Sequence, residues 1–105
     1  MKTDVYYIKL CELLAAEAAT NGDAPIGSII TKGDEIISEA IEATKSKNDI
    51  TCHAELDAIR LAVKKLKTND LSDCILYTTH EPCIMCSYAI RFYKIKKVVY
   101  QHKVK

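Results

Sequence analysis

The chain has 105 residues, enough for one hydrophobic core, which excludes a two-domain enzyme. Hydrophobic residues make up 49% of the chain and charged residues 28%, a balance that is typical of globular proteins and excludes disorder or collagen-like structure. The 15 Lys and Arg residues against 14 Asp and Glu residues give a net charge of +1, which is too small to indicate a nucleic-acid partner. Five lysines nevertheless give the last dozen residues a basic bias.

The sequence predicts a cytoplasmic protein with a single domain over residues 1–105. No apolar run reaches the roughly 20 residues that a membrane helix needs, and Lys9 and Glu12 interrupt the start of the chain where a signal peptide would be apolar. The five cysteines are an odd number, which in a reducing compartment favours metal binding or buried thiols over a disulfide scaffold.

The first half of the chain predicts a helix followed by a hairpin. A helix is expected over residues 4–20, with Asp4 as its N-cap and Asn21-Gly22 as its stop. Two isoleucine-rich stretches, residues 26–31 and 35–40, should pair as antiparallel strands. The apolar stripe of the helix comprises Val5, Ile8, Cys11, Leu14, Ala15 and Ala18.

The second half predicts a loop followed by alternating helices and strands. Helices are expected over residues 52–66 and over residues 82–93, the second with proline in its first turn, and strands over residues 74–79 and 97–101. A strand, helix and strand in succession indicate a parallel right-handed crossover, and hence one compact α/β unit. The apolar stripe of the first of these helices comprises Leu56, Ile59, Val63 and Leu66.

Three side chains form a candidate metal site. Cys83 and Cys86 lie three residues apart at the start of a predicted helix, so both sulfurs share one face and the helix dipole favours their thiolates. His53 adds an imidazole from the start of another helix. Two thiolates and one imidazole suit zinc, and three protein ligands leave the fourth position open for water, as a catalytic site requires. We therefore predict one zinc ion per chain.

Glu55 is a candidate proton carrier. It follows His53 by two residues, close enough to lie beside the metal without coordinating it. Because zinc lowers the pKa of bound water, an adjacent carboxylate can take the proton and pass it to a nitrogen leaving group. The chemistry indicated is the hydrolytic removal of an amine.

Each of these motifs also has a simpler interpretation when it is considered without the others. A lone C-x-x-C can be a structural zinc half-site or a redox pair, and Glu55 can be a first-turn carboxylate that the helix dipole favours. A closed structural site would need a fourth ligand, and no remaining cysteine or histidine has a recognisable spacing. The cysteines at 11, 52 and 74 are expected to be buried small hydrophobic residues. The combination favours a catalytic site.

The order of these motifs resembles a known family. Residues 53–55 and 82–86 match the H-x-E and P-C-x-x-C pattern of zinc nucleobase deaminases. Residues 24–28 resemble the P-x-G opening of the first strand in the cytidine deaminase superfamily, and residues 52–59 are similar to deoxycytidylate deaminases. Residues 76–86 resemble the branch of tRNA adenosine, guanine and cytosine deaminases.

The resemblance implies a three-layer α/β/α core with a mixed sheet, C-terminally truncated relative to a family that usually continues with a further helix and often a fifth strand. It implies that His53, Cys83 and Cys86 bind zinc and that Glu55 shuttles protons. It also implies that the backbone N–H of Ala54 helps to hold the base. The expected substrate is a small nucleobase, nucleoside or nucleotide, deaminated with release of ammonia.

Three further residues are candidate substrate contacts. An ungapped count from His53 places Glu42 where tRNA adenosine and guanine deaminases carry an asparagine that contacts the substrate. As a carboxylate, Glu42 would favour a substrate that presents N–H or O–H groups; alternatively it points to solvent from a mobile loop. Ala24 belongs to the segment that opens the first strand, and His80 either stacks on a base or lies in a surface loop.

Two other functions and an assembly follow from the same observations. The Glu-Pro-Cys-x-Met-Cys motif and the terminal lysines favour a deaminase that acts on tRNA or single-stranded nucleic acid. The low net charge of the chain argues against this function. The short chain and Glu42 favour a silent zinc-binding scaffold, against which Glu55 argues. The helix face around Tyr88, Phe92 and Tyr93 is expected to be partly uncovered in so small a core, which predicts a homodimer or larger assembly.

Overall fold

The structure is a computed structural model that describes residues 2–103. Its elements are α1 (Asp4–Thr20), β1 (Gly27–Lys32), β2 (Glu35–Ile41), α2 (Ala54–Leu66), β3 (Cys74–His80), α3 (Ile84–Phe92) and β4 (Lys97–His102). The strand order is β2-β1-β3-β4, with β1 antiparallel to both neighbours and β3 parallel to β4. The predicted hairpin, parallel crossover and mixed sheet are confirmed.

The sheet separates two apolar clusters. Ile30 and Leu76 face one side of the sheet, where they pack with α2 and α3, and Ile29 and Tyr77 face the other side, where they pack with α1. Successive strand residues point to opposite faces, so each pair of neighbours divides between the two clusters. The three-layer α/β/α architecture is therefore confirmed.

Helix α1 begins and packs differently in detail from the sequence prediction. Its N-cap is Thr3, because this residue has an extended backbone and its Oγ1 accepts the N–H of Tyr6 at 3.2 Å, whereas Asp4 is already helical. Val5 is exposed and Tyr7 takes the buried place, so the apolar stripe of the helix is displaced toward Tyr7 and Cys11.

Gly27 allows β1 to begin directly beneath α1. A Cβ at position 27 would collide with the backbone oxygen of Cys11 and with Cβ of Leu14. The glycine thus permits a close approach of strand and helix, which seats the loop before β1 against the C-terminal half of α1.

On the opposite face, small side chains let α2 approach the sheet. Ala58 and Ala62 are fully buried between α2 and the strands, while the predicted stripe residues Leu56 and Val63 are only partly buried at its margins.

Helix α3 starts later than predicted. Cys83 is its extended N-cap, so Pro82 precedes the helix and is not in its first turn.

Within residues 2–103, none of the helices combines the length and the apolar character that crossing a bilayer requires.

Candidate metal centre and active site

The N-termini of α2 and α3 bring the three predicted ligands together. Nδ1 of His53 lies 3.5 Å from Sγ of Cys83 and 3.5 Å from Sγ of Cys86, and all three ligand atoms lie within 4.8 Å of one another. His53 and Cys83 are the N-cap residues of the two helices, yet neither side chain caps its own helix. Both side chains are therefore directed to each other and to Cys86.

These distances fit a zinc ion. Zinc lies about 2.3 Å from sulfur and about 2.0 Å from nitrogen, so tetrahedral geometry separates an N and an S ligand by about 3.5 Å. Both separations from Nδ1 of His53 have that value. Burial, followed by the charge of Glu55, raises the pKa of the Cys86 thiol, so a metal ion must displace its proton on binding.

Glu55 lies in the first turn of α2 beside these ligands. Only 3% of its surface is exposed, and its buried Oε1 has no hydrogen-bond partner within residues 2–103. Burial raises the pKa of Glu55, with a further contribution from the negative charge of Glu42 and an opposing one from His53. A buried, unpaired carboxyl oxygen costs roughly 1–3 kcal/mol, an expense that commonly marks a functional group.

Glu42 lies in the same cluster. It is 4% exposed, and one of its carboxyl oxygens lies within 4.8 Å of ligand atoms of His53 and Glu55. Its Oε1 accepts the backbone N–H of Ala54 at 3.1 Å, and its Oε2 accepts the hydroxyl of Thr44 at 3.3 Å. The alternative that Glu42 points to solvent is therefore wrong. Its contact with substrate stays a prediction, as does that of the Ala54 N–H, which is bonded to Glu42 here.

The remaining two candidates lie around this cluster. Ala24 is exposed in the segment before β1 and connects to the cluster through Ile26, whose carbonyl oxygen accepts the N–H of Glu42 at 2.9 Å. His80 ends β3 and is half-buried, with its ring centroid 5.0 Å from that of His102 on the parallel strand β4. Burial, then the charge of His102, lowers the pKa of His80. The contact of His102 with His80 was not expected, because only the strand register brings the two residues together.

Comparison with known proteins decides the family. Residues 1–102 match the family model described as the cytidine and deoxycytidylate deaminase zinc-binding region. The chain belongs to this family. It is 44% identical over 95 residues to a tRNA-specific adenosine deaminase of Aquifex aeolicus, an alignment that covers 90% of this chain and 63% of the relative. It is 43% identical over 95 residues to a guanine deaminase of Bacillus subtilis, with 90% and 61% covered.

Solved structures of this family have the same fold. The structure of guanine deaminase from Bacillus subtilis superimposes with a TM-score of 0.91 at 40% identity, covering 98% of this chain and 66% of that one. A tRNA:A34 deaminase superimposes with a TM-score of 0.91 at 32% identity, covering 95% and 77%. The chain thus spans about three fifths of the length of the two curated relatives above. The names of these relatives include two substrate types, tRNA adenosine and guanine.

Proposed function

We propose that this protein is a zinc-dependent hydrolytic deaminase that removes an exocyclic amino group from a nucleobase, nucleoside or nucleotide, in one domain over residues 1–105. The observation that carries the proposal is the arrangement of His53, Cys83 and Cys86 at zinc-ligand separations beside the buried carboxyl of Glu55, whose Oε1 has no hydrogen-bond partner among the described residues. A structural zinc site has no use for a buried carboxyl oxygen without a partner next to its ligands, whereas a catalytic site uses such a group to carry protons.

In this proposal each residue has a distinct task. His53, Cys83 and Cys86 hold the metal, which when bound supplies a Lewis acid that lowers the pKa of water. Glu55 takes a proton from the attacking water and delivers protons to the ring nitrogen and the departing amine. Overall, one C–N bond is replaced by a C–O bond, one water is consumed and one ammonia is released.

A small free substrate is our first choice. The cluster contains two buried carboxyl groups, Glu42 and Glu55, and within residues 2–103 no ion pair neutralises Glu42. These two carboxyl groups disfavour a phosphate group close to the reacting ring. Similarity to tRNA-specific adenosine deaminases favours the second candidate, a deaminase of tRNA or single-stranded nucleic acid. A silent zinc-binding scaffold is the third, and the presence of Glu55 argues against it.

We also propose that the protein forms a homodimer through the outer face of α3 and acts in the cytoplasm. Ile84, Tyr88 and Phe92 recur every four residues and are 89%, 70% and 57% exposed. They line one side of an open groove with Ser87 and Arg91. A contiguous apolar strip of this kind is stabilised when a second copy covers it.

An ammonia-release screen tests the function. The zinc-loaded protein is incubated with cytosine, guanine and adenine, with their nucleosides and nucleotides, and with a tRNA anticodon stem. Release from a free compound supports the first choice, and release from the stem alone supports the nucleic-acid deaminase. A protein with one zinc per chain that releases no ammonia from any compound contradicts both enzymatic proposals.

A further inference from the structure

We infer that Asp23 is a positioning residue that fixes the loop joining Glu42 to His53, and so sets the geometry of the metal centre from outside it. This role of Asp23 matters for activity only through the proposed function, on which the inference rests. It stands on contacts that do not involve any residue assigned to catalysis or metal binding.

The carboxyl group of Asp23 binds a remote loop. Asp23 lies between α1 and β1 and is 6% exposed. Its Oδ1 accepts two successive backbone N–H groups, that of Lys45 at 2.9 Å and that of Ser46 at 3.0 Å. A helix N-cap satisfies backbone donors in this way within a few residues of sequence, whereas Asp23 does so from more than 20 residues away.

The loop that Asp23 holds is a compact unit with a functional residue at each end. It closes on itself where the N–H of Ala43 donates to the carbonyl oxygen of Cys52 at 3.0 Å. Inside it, the N–H of Asp49 donates to the carbonyl oxygen of Thr44 at 3.0 Å. Glu42 directly precedes this closed segment and His53 directly follows it.

The backbone of the same region makes a second attachment. The N–H of Glu42 donates to the carbonyl oxygen of Ile26, three residues after Asp23. One attachment therefore lies at the start of the loop and the other, through Asp23, lies within it. Near the other end of the loop, Arg60 of α2 donates to the carbonyl oxygen and Oγ1 of Thr51, so loss of the Asp23 bonds would free the part of the loop that lies between the Ile26 and Arg60 attachments.

The chemistry of Asp23 suits this task. Hydrogen bonds from Ser46, and then from Lys45, hold the pKa of Asp23 below its ordinary value, so it is ionised at neutral pH. Charge-assisted hydrogen bonds are roughly twice as strong as neutral ones. Oδ2 is buried without a hydrogen-bond partner within residues 2–103. Both backbone N–H bonds therefore pass through Oδ1, an acceptor that an asparagine would retain without the negative charge.

The test compares Asp23→Ala, Asp23→Asn and Asp70→Ala. Asp70 is the matched control, because its Oδ1 accepts the N–H of Ser72 at 2.9 Å in an exposed loop before β3. Zinc affinity is measured by competition with a chromophoric chelator, and the exchange of the Lys45 and Ser46 amides by NMR. Neither readout requires turnover, so a protein that releases no ammonia would contradict the proposed function without deciding this inference.

Asp23→Ala is expected to weaken zinc binding about tenfold and to speed exchange of both amides, because supports of metal ligands typically contribute tenfold or more to affinity. Asp23→Asn keeps the acceptor and loses its charge, so both amides should exchange faster than in the wild type but more slowly than in Asp23→Ala, with an intermediate zinc affinity, and Asp70→Ala should match the wild type. Wild-type zinc affinity in Asp23→Ala, or equal losses in Asp23→Ala and Asp70→Ala, would overturn the inference. If Asp23→Ala does not fold, unchanged amide exchange in Asp23→Asn would overturn it, and exchange faster than in the wild type would support it.

Discussion

Oε1 of Glu42 accepts the backbone N–H of Ala54 at 3.1 Å, at the first residue of α2. An acidic group at a helix N-terminus is stabilised by the exposed N–H groups and by the helix dipole. The same contact engages the donor that was expected to hold the base. We therefore expect the proposed site near Ala54 to present carboxylate oxygens, and to suit a substrate edge that carries N–H or O–H groups.

Replacing Glu42 is expected to change substrate preference. Glu42→Asn introduces an amide that can donate as well as accept, so kcat/KM for guanine or adenine-type substrates should rise relative to the natural substrate. A mismatch of donors and acceptors costs about 1–3 kcal/mol, which corresponds to a change of about 5-fold to 150-fold in the ratio.

The matched control for this experiment is Glu39→Gln, which removes an exposed carboxylate from β2. It should leave all ratios at their wild-type values. Ratios of kcat/KM that are equal in Glu42→Asn and in the wild type across the substrate panel would remove Glu42 from the binding site.

Removal of zinc should expose one reactive thiol. Cys83 is half-buried and the other four cysteines are buried. Burial raises the pKa of Cys11 to about 12 and that of Cys74 to about 11, so at pH 8 both remain thiols and react slowly. A thiol reagent should find no fast-reacting cysteine in protein that holds one zinc per chain, and one after chelation.

The variant Cys83→Ser identifies the reactive group, since after chelation it should have no fast-reacting thiol. Chelation should also lower the melting temperature, because the metal joins the starts of α2 and α3 and stabilises the folded state that binds it. Equal thiol reactivity before and after chelation, in protein shown to contain zinc, would mean that Cys83 is not a ligand.

The three candidate metal ligands could be selected from the sequence because Cys83 and Cys86 share a helix turn and His53 precedes another helix. The approach of His53 to the cysteines, 30 residues away along the chain, comes from the fold. The burial of Glu42 could not be predicted, since it depends on the hydrogen bond to Ala54 across a loop of 11 intervening residues. The bonds of Asp23 depend on a contact that is longer still along the chain.

The predicted N-cap and buried face of α1 were wrong for a related reason. Thr3 and Asp4 are both good N-cap residues, and the backbone conformation at Thr3 decides between them. Val5 fits the apolar period of α1, yet Tyr7 is buried because its ring packs 4.8 Å from that of Tyr77 on β3. Packing between elements thus fixed the phase of the helix, which periodicity alone leaves open by a residue or two.

Polar substitution on the outer face of α3 is expected to dissociate the proposed dimer. Tyr88→Ser combined with Phe92→Ser removes two large apolar side chains from the strip, so light scattering at tens of micromolar should report a monomer, with zinc content unchanged. Leu13→Ser on α1 is the control, since Leu13 is also exposed and lies on the opposite side of the sheet. A monomeric wild-type protein, or a doubly substituted one that remains dimeric, would contradict this interface.

The most direct test of zinc-dependent deamination compares ammonia release by the wild type and by Glu55→Gln at equal zinc content. The substitution keeps the size of the side chain and removes its ability to carry a proton, and general acid–base catalysis contributes about 10²–10⁴ in rate. We expect both proteins to hold one zinc per chain and the variant to release ammonia at least about 100-fold more slowly. Equal rates in the two proteins would contradict the proposed role of Glu55 and the mechanism built on it.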